Sequence, residues 1–121
     1  MADVSDLISK YIAAWNQTDA TARRDLIGEV WARDGRYIDP LADAAGPEQI
    51  DGVIGAVQAQ FPGMKFRLAG PVDTHHDQVR FTWELAPDGA DAVVVGFDVA
   101  RRDEDGRLAL VLGFLDKVPA G

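Results

Sequence analysis

The 121 residues contain no cysteine. That excludes a disulfide framework, thiolate metal sites and a cysteine nucleophile. It is compatible with a cytoplasmic protein, the expected location. Histidine is scarce too: the two residues, His75 and His76, are adjacent. Positive charge is also in short supply. Lys and Arg total 12 against 20 Asp and Glu, a formal net charge of −8. A phosphate-backbone binder needs a basic patch, so no nucleic acid and no anionic membrane surface is expected as partner. No apolar run approaches the roughly 20 residues that span a bilayer. Met1 to Asp6 show no basic segment leading into an apolar one, so no secretory leader is expected.

What is present suits one globular domain over residues 1–121, with 47% hydrophobic and 26% charged residues. The texture changes near Pro62-Gly63. Before it, apolar residues recur at helical spacing; after it, they alternate or run on with β-rich composition.

Leu7, Ile8, Tyr11, Ile12 and Trp15 form one apolar stripe, predicting a helix over Val4 to Asn16 with Ser5 or Asp3 as its cap. Thr18 or Asp19 caps a second helix, Ala20 to Ala32. Asp34-Gly35 turns the chain into a short extended piece, Arg36 to Asp39, ended by Pro40. Residues 41–46 read as a loop. Pro47 and Glu48 suit the start of a third helix, which stops near Phe61-Pro62-Gly63. Four strands fill the rest: Met64 to Val72, Gln78 to Ala86, Ala92 to Arg102 and Arg107 to Val118. Tight turns between them predict an antiparallel sheet. The class is α+β.

Val93 to Phe97 and Leu108 to Leu112 are apolar on both strand faces. A half-solvated sheet would alternate, and three helices cover one face only. A second copy of the chain is therefore expected on the other, giving a homodimer through the sheet.

Asp98 stands inside Val93-Val94-Val95-Gly96-Phe97-Asp98-Val99-Ala100, on the face of Val94, Gly96 and Ala100. Burying an unpaired carboxylate costs several kcal/mol, or the group becomes neutral. Two readings stay open. It is a strand Asp that reaches water or pairs with Arg80 or Arg101, or it is an acid in an apolar pocket that donates a hydrogen bond. Asp39 precedes Pro40, a common turn element. Tyr37, Ile38 and Leu41 nevertheless surround it with apolar groups, as at the mouth of a cavity, where a carboxylate is a candidate general base. Tyr11 lies on the buried stripe of the first helix, and its hydroxyl needs a partner there; Asp98 is one candidate. Among the aromatics, Trp15, Trp31, Phe61, Trp83 and Phe114 are expected to line the cavity. His75 and His76 point opposite ways on an extended segment, so no metal site is expected.

The order of helix, helix, strand ending in Asp-Pro, helix and four strands resembles the nuclear transport factor 2-like (cystatin-like) superfamily, over essentially the whole chain. Lys10-Tyr11-Ile12-Ala13-Ala14-Trp15-Asn16, Tyr37-Ile38-Asp39-Pro40 and Val94-Val95-Gly96-Phe97-Asp98-Val99 resemble its ketosteroid-isomerase and SnoaL-like group. The resemblance implies a cone-shaped curved sheet wrapped around three helices. It also implies Asp39 as general base, with Tyr11 and a protonated Asp98 as oxyanion-hole donors. Two departures stand out. The isomerases carry a further tyrosine on the third helix, where this chain has Ile54, and Asp98 lacks their aromatic flank. Arg80-Phe81-Thr82 lacks the aspartate of the epoxide-hydrolase branch.

The expected function is cofactor-free acid/base chemistry next to a carbonyl of a small hydrophobic molecule, as isomerisation or as polyketide-type cyclisation. The alternatives are a non-catalytic small-molecule binder and a dimeric interaction module.

Overall fold

The computed structural model describes residues 4–119. Helix α1 spans Val4–Asn16 and α2 spans Ala20–Val30. Strands β1 (Trp31–Asp39) and β2 (Ala42–Ala45) follow, then α3 (Pro47–Gln60). Strands β3 (Lys65–Leu68), β4 (Asp73–His75), β5 (Gln78–Ala86), β6 (Val94–Arg102) and β7 (Leu108–Lys117) complete the chain. Asp19 caps α2, its carboxylate accepting from the Ala22 N–H. Asp3, the other cap candidate for α1, lies outside the described residues.

Several boundaries differ from expectation. The second helix ends at Val30 rather than Ala32, because Trp31 is already extended and begins β1. A strand, β2, occupies most of the expected loop over residues 41–46. It folds back on β1 and is held there by a two-pronged ion pair of Arg36 with Asp43. The strand expected over Met64 to Val72 shortens to Lys65–Leu68, because Gly70 turns with φ of 95° and Pro71 follows it, and a further short strand, Asp73–His75, forms beyond it.

The sheet has seven strands in the order β2-β1-β7-β6-β5-β3, with β4 also on β5. It is antiparallel except at one junction, where β1 runs parallel to β7. That corrects the all-antiparallel expectation. The connection between these two strands contains α3 and the rest of the sheet, so nothing forces a hairpin. The three helices lie against one face of the curved, unclosed sheet. Ile8, Ile27, Val30, Ile54, Val79 and Val111 are among the fully buried apolar groups between the layers.

Two polar clamps fix the helices around the site. The Asn16 carboxamide at the end of α1 both donates to and accepts from the Phe66 backbone, at 2.9 and 2.7 Å, joining α1 to β3. Arg23 of α2 is nearly buried, and it pairs with Asp51 and Gln58 of α3. No helix among the described residues is long and apolar enough to cross a membrane.

Candidate active site

Between α1, the end of α3 and the concave face of the sheet lies a cavity of about 180 Å³. Tyr11, Asp39 and Asp98 all line it. Each arrives by a local rule of the chain. Tyr11 is on the inward stripe of α1. Asp98 is on the inward face of β6, with buried and half-buried positions alternating along the strand. Asp39 is the last residue of β1, where Pro40 ends the strand at the cavity mouth.

The Tyr11 hydroxyl donates to Asp98 Oδ2 at 2.6 Å, and both side chains are buried. Asp98 therefore pairs with neither Arg80 nor Arg101; Arg80 pairs with Asp73 instead. Asp98 Oδ1 is buried with no hydrogen-bond partner. Burial pushes the Asp98 carboxyl up to about 6. The Tyr11 hydrogen bond and the Trp83 indole pull against that shift, and the charge of Asp39 adds to it. Tyr11 is itself held well above its ordinary value, by burial first and then by the adjacent Asp98 charge. It acts as a hydrogen-bond donor, not as a phenolate.

Asp39 is half-buried, and both of its oxygens are oriented. Oδ2 accepts from the Tyr37 hydroxyl at 2.6 Å, and Oδ1 accepts from the Leu41 N–H at 2.8 Å. A carboxylate offers about four acceptor sites, so lone pairs remain for a substrate proton. Tyr37 is raised by burial and by the charges of Asp98 and Asp39, and it too stays protonated.

Gly113 of β7 makes this convergence possible. It pairs across the sheet with Asp98. A Cβ at position 113 would stand 2.9 Å from Asp98 Oδ1, 3.2 Å from Asp39 Cβ and 3.6 Å from the Tyr37 hydroxyl. Asp98, Asp39 and Tyr37 thus crowd over the bare backbone of Gly113, with less room than a methyl group needs. Gly96 serves the opposite wall. A Cβ there would lie 2.0 Å from the Trp83 ring, so the bare backbone lets the indole lie flat over β6.

Trp15, Phe61 and Trp83 line the cavity as expected from the sequence. Trp31 and Phe114 do not. Trp31 is in the core behind Tyr11, with ring centroids 5.2 Å apart, because the chain turns from α2 into β1 there. Phe114 is on the outward face of β7 and is 57% exposed, since Gly113 takes the inward position. Phe66 and Gln60 also line the cavity and were not singled out from sequence; Tyr37, expected only as an apolar neighbour of Asp39, lines it too and donates to that carboxylate. Tyr37 was within reach of that reading: two residues before Asp39 on a strand, it shares the same face. Ile54 is buried core, so the third helix supplies no hydroxyl here and β1 supplies Tyr37 instead. His75 and His76 sit at the tight β4–β5 turn. Among the described residues no three His, Cys, Asp or Glu side chains cluster as a metal site would need.

The model of the SnoaL-like domain matches residues 8–111. The chain belongs to the SnoaL-like family. A SnoaL-like protein from Agrobacterium tumefaciens, described as a candidate isomerase, is 41% identical over 92% of this chain and 95% of its own, with a TM-score of 0.87. A SnoaL-like protein from Burkholderia thailandensis is 18% identical over 100% and 99% of the two chains, at a TM-score of 0.72. A candidate SnoaL-like polyketide cyclase from Jannaschia is 15% identical over 93% and 86%, at 0.68. The last two share the fold. No curated protein matches. The SnoaL-like scaffold accounts for the curved sheet and the helices over its concave face.

Proposed function

We propose that the cavity catalyses proton transfer next to a carbonyl of a small apolar molecule, with no cofactor. The observation that supports this is that Asp39 and the hydrogen-bonded Tyr11–Asp98 pair line one cavity. Asp39 removes a proton from the carbon α to the carbonyl, and the C–H electron pair moves to form the enolate. Asp98, protonated on Oδ1, donates to the developing oxyanion, while Tyr11 holds Oδ2 from behind. A carbonyl oxygen at Oδ1 favours the neutral acid further, because only that form can donate. Asp39 then returns the proton to the same or a conjugated carbon, giving exchange or isomerisation. Attack of the enolate carbon on a second carbonyl would give cyclisation. A positioned donor in a dry site contributes about 3–4 kcal/mol. The isomerase description of the Agrobacterium relative supports the same class.

The test is α-proton exchange of cyclohexanone in D2O, followed by NMR. The wild type should exchange it above background and Asp39→Asn should not. Binding without exchange in the wild type would leave a non-catalytic binder. The engagement of both Asp39 oxygens by Tyr37 and Leu41 favours that second reading, since each bond occupies a lone pair that could otherwise take a substrate proton.

The expected homodimer belongs to the same proposal. On the outer sheet face Phe97 sits beside Phe114 and Val99 beside Leu112, an apolar ladder with Phe114 and Leu112 exposed. A second copy laid on this ladder would remove it from water.

A further inference from the structure

Among the described residues, the cavity lining carries no positive charge. Its polar lining is two carboxyls, Asp39 and Asp98, with Tyr11, Tyr37, Gln60 and the indoles of Trp15 and Trp83; among the described residues no Lys, Arg or His lines it. Buried carboxylates are ordinarily paired, yet Asp98 Oδ1 is buried without a partner. Asp39 faces the same space across Gly113. The remaining wall joins four aromatic rings, Trp15, Phe61, Phe66 and Trp83, to aliphatic side chains. Rings of this kind favour a cation over an anion.

We propose that the cavity binds a compact organic ammonium ion, its N–H groups on Asp98 Oδ1 and Asp39 and its apolar body among the indole and phenyl rings. A primary ammonium supplies three donors, enough for both carboxylates. A neutral ligand leaves an ionised Asp98 uncompensated, and an anion meets two like charges. The volume of about 180 Å³ suits a single six-membered ring, since an apolar cavity of roughly 150 Å³ takes benzene. This inference rests on the reading that the cavity takes a ligand, and not on the carbonyl chemistry.

Charge at Asp98 should control the affinity. Near pH 8 the carboxyl is ionised, and near pH 5 it is mostly neutral, given a value of about 6. The titratable groups facing it are Tyr11 from α1 and Tyr37 and Asp39 from β1. Its neighbours across β5 and β7 are Phe81 and Gly113, with Trp83 nearby.

Benzylamine, benzyl alcohol and benzoate share one ring and differ in charge, so they serve as probes. Binding is read from the indole N–H resonances of Trp15 and Trp83, with Trp31, outside the cavity, as the internal reference. Near pH 8, benzylamine should bind at least about tenfold tighter than benzyl alcohol, and benzoate should not bind. The preference should shrink to less than about threefold in Asp98→Asn. If that variant does not fold, the wild type near pH 5 gives the same comparison. Equal affinity for amine and alcohol near pH 8, or a preference unchanged by neutralising Asp98, overturns the inference. Cyclohexanone exchange is a separate readout. Loss of the amine preference with exchange intact removes only this inference, and the converse removes only the proton-transfer reading.

Discussion

Tyr11 and Asp98, 87 positions apart in the chain, share a 2.6 Å hydrogen bond inside the protein. It joins the inward stripe of the first helix to the inward face of the sixth strand. The other carboxyl oxygen, Asp98 Oδ1, is buried without a hydrogen-bond partner, next to Gly113.

Stability should depend on pH through Asp98. Its value rises from 3.8 to about 6 on folding, so between those limits the folded state binds more protons than the unfolded chain. This contribution is fully present below about pH 4 and is lost as pH rises to about 6, a change of about 2–3 kcal/mol. Urea unfolding of wild type and Asp98→Asn from about pH 4 to 7 checks it. The stability difference between the two should move against the wild type as pH rises, and a constant difference would exclude the effect.

Tyr11→Phe removes the Tyr11 hydrogen bond to Asp98 Oδ2. The loss should cost about 1–3 kcal/mol at neutral pH, where the carboxyl is charged, and less in acid. The Asp98 midpoint should move above about 6, because the lost bond favours the charged form. Carboxyl-carbon NMR reads this directly. A midpoint that stays or falls contradicts the pairing.

Gly113→Ala adds one methyl where Asp98, Asp39 and Tyr37 meet. Position 113 is not in the left-handed region, so the backbone tolerates alanine. The predicted cost is therefore steric, about 1–3 kcal/mol. Exchange activity and benzylamine binding should both fall at least about tenfold. Thermal unfolding and the indole NMR titration separate the two effects, and full retention of both activities would mean the three side chains do not share that space.

Phe114→Glu places charge on the outer ladder, away from the cavity. Light scattering at micromolar concentration should give twice the chain mass for the wild type and the single mass for the variant. A wild-type monomer removes the dimer from the proposal.

The sequence alone carried the class and most of the element order. Helical spacing up to Gln60 and alternation from Lys65 onward are local properties of adjacent side chains, legible without the fold. The same alternation placed Asp98 inward and made its unpaired charge conspicuous. Tertiary structure decided the rest. Trp31 and Phe114 left the cavity because a helix ended two residues earlier than its apolar pattern suggested and because a glycine took the inward position on β7. The parallel β1–β7 pairing depends on two strands about seventy residues apart, which no local period encodes. Tyr37 joined the site only because β1 ends at the cavity mouth, and Gly113 mattered only because three side chains from other strands and Tyr11 from α1 close around Asp98. Local pattern determines which face a residue shows; which faces meet is set by contacts between distant segments, and the cavity exists only where they meet.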